Sequence, residues 1–253
     1  MKRARAVVVA TLIAAAALAT AAKADVTRGT WNIATERGTV QLELRWRSPD
    51  GRENNDHSSS IDAQTLGISN ALASPGQHTT FGLHREAGDY AFDGWLGNGE
   101  GAGSYTFTPN GAFFATLRSR GYDVQTIDYQ MAFANLDITS RYVDEIESLG
   151  YKSDVNQLVA MKALGVTAQY VHDLEAAGVN DITQSQVVPM RALRVDRAYV
   201  DEIAQAGFPH LSASQYVTLK AMRIDGAYIR YLRSHGFKNL TVNQVVTMKA
   251  ERI

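Results

Sequence analysis

Hydrophobic and polar residues follow two different periods along the chain, and the change comes at Pro109. Before it, apolar residues recur at every second position from Val40 to Trp46 and alternate with polar residues, which is the period of a strand with one buried face. Similar stretches, separated by glycine-containing turns, occur at 31–35, 79–85, 90–96 and 104–108, with a weaker one at 58–63. Short strands joined by tight turns predict an antiparallel β-meander for residues 25–108, closed as a small barrel or folded as a sandwich.

After Pro109 the period is helical and the sequence repeats: YVDEIESLGY at 142–151 returns as YVDEIAQAGF at 199–208. The repeat is marked by glycines at spacings of 29, 28, 29 and 29 residues, namely Gly121, Gly150, Gly178, Gly207 and Gly236. An aromatic residue lies eight positions before each glycine, and three positions before that stands a residue suited to capping a helix: Asn110, Thr139, Thr167, Asp196 and Asp225. The glycine suits the left-handed residue that ends a helix.

A second helix is predicted in four of these units by capping boxes, in which a glutamine reaches back to the cap residue's amide. The boxes are Asp154–Gln157, Thr183–Gln186, Ser212–Gln215 and Thr241–Gln244, each followed by apolar residues at helical spacing. Residues 109–253 therefore predict an α-solenoid of five helix-pair repeats of about 29 residues. The fold class predicted for the whole chain is α+β.

The N-terminus predicts an export signal. Lys2, Arg3 and Arg5 precede an uncharged run that ends at a small-x-small cleavage pattern, so we expect residues 1–24 to be a signal peptide cleaved after Ala24; a retained membrane anchor is the alternative. Cleavage would remove four basic residues and no acidic one, changing the formal net charge from −1 to −5. We therefore expect a periplasmic or extracellular protein with no membrane span and no nucleic-acid partner. The chain has no cysteine, which excludes disulfides and thiolate chemistry.

The repeated unit, [VI]-[TD]-x-x-Y-[VI]-x-x-[LI]-x-x-x-G-[YF] followed by [ST]-x-x-Q-[VLY]-V-x-[ML]-[KR]-A, resembles repeat arrays of uncharacterised exported bacterial proteins. It is similar to arrays appended to membrane zinc-peptidase sensors of the β-lactam-sensing kind, and GSYTFTPN at 103–110 resembles the junction of that group. The resemblance implies an architecture and a compartment rather than a chemistry. The peptidase motif H-E-x-x-H is absent from the sequence, so no peptidase role is implied.

No catalytic, cofactor-binding or metal-binding residue is predicted. The six histidines include no i,i+4 pair, no G-x-S-x-G motif occurs, and the run GNGEGAG lies between strands, where a turn explains it. The acidic pairs Asp144–Glu145 and Asp201–Glu202 are interpreted as solvated charge on the first helices.

Two groups of residues are candidates for binding. Basic residues three apart end the later second helices and would form a ridge along the array: Arg191, Arg194, Lys220, Arg223, Lys249 and Arg252. The ridge is either a docking surface for an acidic partner or envelope polymer, or simply cationic charge suited to helix C-termini. The second group is aromatic. Gly29-Thr30-Trp31 resembles the start of lipocalin- and avidin-type barrels, and with Trp46 and Trp95 it would allow a small apolar ligand in the β-domain.

The function expected from these patterns is that of an exported, non-enzymatic protein-interaction module whose array binds a protein partner in the cell envelope. The alternatives are apolar-ligand binding in the β-domain and attachment to peptidoglycan. Self-association through the C-terminal repeat is a further expectation, because the last repeat has no polar capping element after it.

Overall fold

The computed structural model describes residues 27–36, 39–47 and 54–251. The predicted signal peptide at 1–24 and Arg252 lie outside the described residues. Within these ranges the chain is α+β, with a six-stranded antiparallel sheet followed by a series of short helices. No helix among the described residues is long and apolar enough to cross a membrane.

The sheet contains every strand predicted from the alternating pattern. The strands are β1 (Thr27–Glu36), β2 (Thr39–Arg47), β3 (Asn54–Ile61), β4 (Gln77–Arg85), β5 (Gly88–Gly97) and β6 (Glu100–Pro109), with a short helix α1 (Ser69–Ala73) between β3 and β4. Their order in the sheet is β3-β2-β1-β6-β5-β4, and all neighbours are antiparallel.

The predicted barrel or sandwich is wrong, because the sheet is a single open layer with β3 and β4 as its edges. The connection between these edges, residues 62–76, accounts for the difference. It buries Leu66, Ile68 and Leu72 in the core. It is also tied to the β5–β6 turn, where Gly99 N donates to the Leu72 carbonyl at 2.8 Å. This connection therefore packs against the end of the sheet, and among the described residues the edge strands β3 and β4 are not paired with each other.

The open sheet is nevertheless strongly curled around Trp31. Trp31 on β1 and Phe81 on β4 are three strands apart, about 14 Å in a flat sheet, yet their ring centroids are 5.2 Å apart. Glycines make room for the indole, since a Cβ added at Gly94 or Gly103 would come within 2.8 Å of it. The curled face holds the core, whereas the opposite face of the sheet faces solvent.

Ten helices follow the sheet in the described residues, each of nine residues. They are α2 (Gly111–Ser119), α3 (Ile127–Asn135), α4 (Ser140–Ser148), α5 (Val155–Ala163), α6 (Ala168–Ala176), α7 (Gln184–Ala192), α8 (Arg197–Gln205), α9 (Ala213–Ala221), α10 (Gly226–Ser234) and α11 (Val242–Ala250). From α3 onward each helix packs against the helix two positions further along the chain. The contacts thus form two rows, α3-α5-α7-α9-α11 and α4-α6-α8-α10.

The predicted helix caps form. Asn110, Thr139, Thr167, Asp196 and Asp225 each accept a hydrogen bond from the amide three residues later, and the five marker glycines have φ between +77° and +103°. In all four predicted capping boxes the glutamine Oε1 accepts from the cap residue's amide, at 2.8–3.2 Å. The return bond from the glutamine amide to the cap side chain is 2.8–3.3 Å long in α5, α9 and α11, and in α7 the Thr183 hydroxyl also donates to Gln186 Oε1 at 3.0 Å. These glutamines are engaged in the backbone caps, as predicted.

Side-chain contacts join the sheet to α3 and α4. Trp46 Nε1 donates to Asp128 Oδ1 at 2.9 Å, and the Tyr90 hydroxyl donates to Asn135 Oδ1 at 2.5 Å. Arg85 forms an ion pair with Asp137 at 3.3 Å. The first helices therefore pack directly on the sheet.

Candidate docking surface on the helical array

The first cation of each predicted basic pair lies on a tyrosine ring of the preceding helix. Lys220 Nζ is 3.9 Å from the centroid of Tyr199, and the Arg191 guanidinium carbon is 4.8 Å from that of Tyr170. Lys249 is 4.3 Å from the Tyr228 ring, and Lys162, which was not among the predicted residues, is 4.6 Å from Tyr142. Since a cation over an aromatic face is attracted by the ring quadrupole, each of these four cations holds its helix against the helix just before it, which belongs to the same predicted helix pair.

The hydroxyl groups of the same tyrosines are also fixed. Tyr142, Tyr170 and Tyr199 donate to the carbonyls of Val166, Val195 and Ile224 at 3.0, 2.7 and 2.7 Å. Each acceptor immediately precedes the cap residue of the helix two positions further along the chain, which is α6, α8 or α10. The bond therefore joins one predicted helix pair to the next. Burial disfavours the phenolate and raises the pKa of all three, to about 12 for Tyr170. The repeated aromatic position is a structural clamp, with a bonded hydroxyl and a cation on the ring.

The acidic pairs interpreted as solvated charge have a further role. Glu145 Oε1 accepts from the amide of Ala168 at 2.7 Å, and Glu202 Oε1 accepts from the amide of Gly226 at 2.9 Å. Both amides lie in the first turn of a helix, where donors have no partner within the helix and the dipole favours an anion. Only Asp144 and Asp201 of the two pairs keep the predicted exposed character in part, with Asp144 bonded to Arg120 at 2.7 Å. The interpretation as purely solvated charge is therefore wrong for the glutamates.

The second cation of each pair is placed differently from the first. Arg194 and Arg223 are exposed, and among the described residues neither has an ion pair or a ring contact. Both have left-handed backbone, with φ of +57° and +53°. The position before them in the series is Gly165, at +71°. A non-glycine residue in this region costs about 1–2 kcal/mol, so the chain carries two long cationic side chains at positions where glycine would be more stable.

The ridge predicted from the sequence is therefore divided by the structure. Arg191, Lys220 and Lys249 lie on rings, Arg194 and Arg223 face solvent, and Arg252 is outside the described residues. The free cations, Arg194 and Arg223, are called the outer arginines below. They are the part of the predicted ridge that is available to a partner.

A groove at the start of the array was not anticipated from the sequence. It has a volume of about 710 Å³ and includes Arg120, Tyr122, Glu147 and Tyr151 in its lining. Arg120 contacts Glu147 at 2.7 Å, and the Tyr122 hydroxyl donates to the same carboxylate at 2.9 Å. These bonds lower the pKa of Glu147, the guanidinium contributing most. Arg120 and Glu147 thus neutralise each other.

The three candidate tryptophans are not brought together. Trp31 is fully buried, and its Nε1 donates to the carbonyl of Ser104 at 3.0 Å. Trp46 is half-buried at the junction with α3, and Trp95 is 61% exposed on the other face of the sheet. They do not line a common cavity among the described residues, and the geometry favours a core role for Trp31.

Among the residues the structure describes, no group of three or more His, Asp and Glu side chains is placed to hold a metal ion. No protein-family model, no curated protein and no solved structure matches the chain.

Proposed function

We propose that residues 109–253 form a short α-solenoid of five helix pairs and that this solenoid binds an acidic protein partner in the cell envelope. The stacking is supported by the two rows of helix contacts and by three tyrosine hydroxyl bonds, which run from α4, α6 and α8 to the start of the next helix pair. A stack of this kind offers an extended surface built from equivalent positions in successive units.

The observation that carries the binding proposal is the difference between the inner and outer cations. The inner cations, Arg191, Lys220 and Lys249, lie on tyrosine rings, and this contact, together with their position at a helix C-terminus, explains them structurally. The outer arginines have no such contact among the described residues, and their backbone is in a conformation that favours glycine. Residues retained against local stability often serve binding. Arg194 and Arg223 occupy equivalent positions in adjacent units, so they would meet carboxylates repeated along a partner's surface.

An envelope location is part of the proposal and rests on the export signal predicted at residues 1–24. A binding role is favoured over catalysis because many of the charged residues that recur in the described part of the array are used in caps and clamps, whereas the outer arginines are exposed.

The test is affinity capture from envelope extract with the full chain, comparing three proteins. These are the wild type, the double variant Arg194→Glu with Arg223→Glu, and a control with Arg118→Glu and Lys238→Glu. The control makes the same change in net charge at exposed residues that also follow or end helices. We expect one captured protein to be retained by the wild type and the control and lost from the outer-arginine variant.

The bound fraction should also fall as salt is raised, because exposed charges are screened within about 3 Å at 1 M salt. Equal capture by all three proteins, or no specific capture by the wild type, would contradict the proposal.

A further inference from the structure

The solvent face of β4, β5 and β6 carries one exposed aromatic side chain among short polar ones. Trp95 is 61% exposed and is the single large exposed hydrophobic residue among the described residues of the sheet. Its in-register neighbour on β6 is Ala102, and its neighbour on β4 is His78, whose ring lies edge-on at 5.9 Å. The indole is therefore flanked by a small side chain on one side, which leaves space for a flat ligand beside it.

Polar side chains lie next to the indole along the same face of the sheet. Asp93 precedes Trp95 by two residues on the same face, about 7 Å along the strand. Its carboxylate contacts His78 Nε2 at 3.2 Å and remains 61% exposed. A depression of about 410 Å³ adjoins it, with Thr80, Asp93, Ser104 and Thr106 in its lining. This depression offers hydroxyl groups and one carboxylate.

The charge of this face selects the class of ligand. On the described solvent-facing positions of β4, β5 and β6 there is no lysine or arginine, whereas Asp89, Asp93 and Glu100 are acidic. An anionic ligand would be repelled. A protein hot spot normally groups several apolar anchors, and here there is one. An uncharged ring with an apolar C–H face and hydroxyls at its edge fits both the indole and its surroundings.

We propose that this face binds uncharged, gluco-configured sugar rings of a β-1,4-linked polysaccharide, with Trp95 as the stacking platform and Asp93 as the acceptor for sugar hydroxyls. In a β-linked gluco-configured pyranose all substituents are equatorial, so both faces of the ring present C–H groups to an indole, which an axial α-linkage would not allow. Hydroxyls at the ring edge would donate hydrogen bonds to the Asp93 carboxylate. They would also donate to, or accept from, the hydroxyls of Thr80 and Ser104. The site is independent of the outer arginines, which lie on the helical array.

The test uses the full chain with cellohexaose and chitohexaose as neutral probes and hexagalacturonic acid as the anionic comparison. Binding is measured by isothermal titration calorimetry and by tryptophan emission, in which Trp95 is the exposed reporter and Trp31 is buried. We expect at least one neutral hexamer to bind at millimolar concentration and to shift the emission to shorter wavelength. Trp95→Ala should weaken binding by about tenfold or more, and Trp95→Tyr should restore part of it.

The chain supplies a matched control for the carboxylate. Asp89 is on the same face of β5 and also contacts a histidine of β4, His84, at 2.9 Å, but it has no exposed aromatic neighbour two residues away. Asp93→Ala should therefore weaken binding, while Asp89→Ala should bind as the wild type does. The proposal is overturned if neither neutral hexamer binds, if Trp95→Ala binds as well as the wild type, or if the anionic hexamer binds in preference.

Discussion

The tyrosine clamp makes a quantitative prediction about the stability of the helical array. In the substitution Tyr199→Phe, the ring and its contact with Lys220 at 3.9 Å are kept, and only the hydroxyl that donates to the Ile224 carbonyl at 2.7 Å is removed. Ile224 is 1% exposed, so water cannot replace the lost donor. A neutral hydrogen bond contributes about 1 kcal/mol net, and a buried group left without a partner costs about 1–3 kcal/mol. We expect Tyr199→Phe to lower the free energy of unfolding by about 1–2 kcal/mol.

The assay is urea denaturation of the full chain followed by far-UV circular dichroism. With a urea m-value of about 3 kcal/mol/M, typical of the upper end for small proteins, the midpoint should fall by about 0.5 M. Amide hydrogen exchange should show the loss of protection concentrated in α8 and α10, the two helices that this bond connects.

Tyr231→Phe is the matched control, because Tyr231 is 51% exposed and the same atom is removed. Exposed substitutions of this kind change stability by less than about 0.5 kcal/mol. If Tyr199→Phe and Tyr231→Phe have the same urea midpoint, the hydroxyl bond does not stabilise the contact between neighbouring helix pairs, and the reasoning is refuted.

Two further predictions concern alkaline stability and the glycines under Trp31. The folded-state pKa of Tyr170 is raised from 10.0 to about 12 by burial. The unfolded chain therefore releases this proton first, and stability that is present below pH 10 is lost as the pH rises to 12. The difference between a pKa of 10.0 and one of about 12 corresponds to about 2.7 kcal/mol, and a flat denaturation midpoint between about pH 9 and pH 12 would contradict this sign; the lower limit lies about one unit below the unfolded-state pKa and the upper limit lies at the folded-state pKa. Gly103→Ala should cost about 2–3 kcal/mol in urea denaturation, because the new Cβ would lie 2.0 Å from the Asp93 carbonyl oxygen and 2.8 Å from Trp31 Nε1. Gly111→Ala, with no atom within 4 Å of the new Cβ, should be neutral or stabilising, and equal losses for the two would refute the packing argument.

The strands and caps could be predicted from the sequence because both are local. Alternation along Val40 to Trp46 fixes which face of β2 is buried, and a cap needs only a side chain three residues from its amide. The helix α1 was missed because five residues, SNALA, are too few to show a helical period. Closure of the sheet was predicted wrongly because it depends on how residues 62–76 pack between the edges, and no period in the sequence records that.

The division of the basic residues needed the structure for a related reason. Arg191 and Arg194 are both basic residues at the end of α7, but Arg191 lies on the Tyr170 ring whereas Arg194 faces solvent. The hydrogen bonds of Glu145 and Glu202 correspond to a pattern that is visible in the sequence. Glu145 and Glu202 each follow a clamp tyrosine by three residues, and the corresponding residue after Tyr170 is Asp173. Asp173 is shorter by one methylene, and it accepts from Gln169 at 2.7 Å instead of reaching the next helix.

A glutamate of the sheet bonds to the first turn of α4 in the same way as glutamates of the array bond to the first turns of α6 and α10. Glu86, in the turn after β4, accepts from the amide and the hydroxyl of Ser140 in the first turn of α4. This is the bond that Glu145 makes to α6 and Glu202 to α10.

In the proposed stack the sheet therefore supplies to α4 a contact that α6 and α10 receive from the preceding helix pair. The first unit has Phe113 where later units have a tyrosine, so it lacks the hydroxyl group that would donate to the next helix pair. Terminal units of repeat proteins need a capping element that covers the apolar end of the stack. Through Glu86, and through Tyr90 bonded to Asn135, the sheet would supply that element at the N-terminal end of the proposed stack.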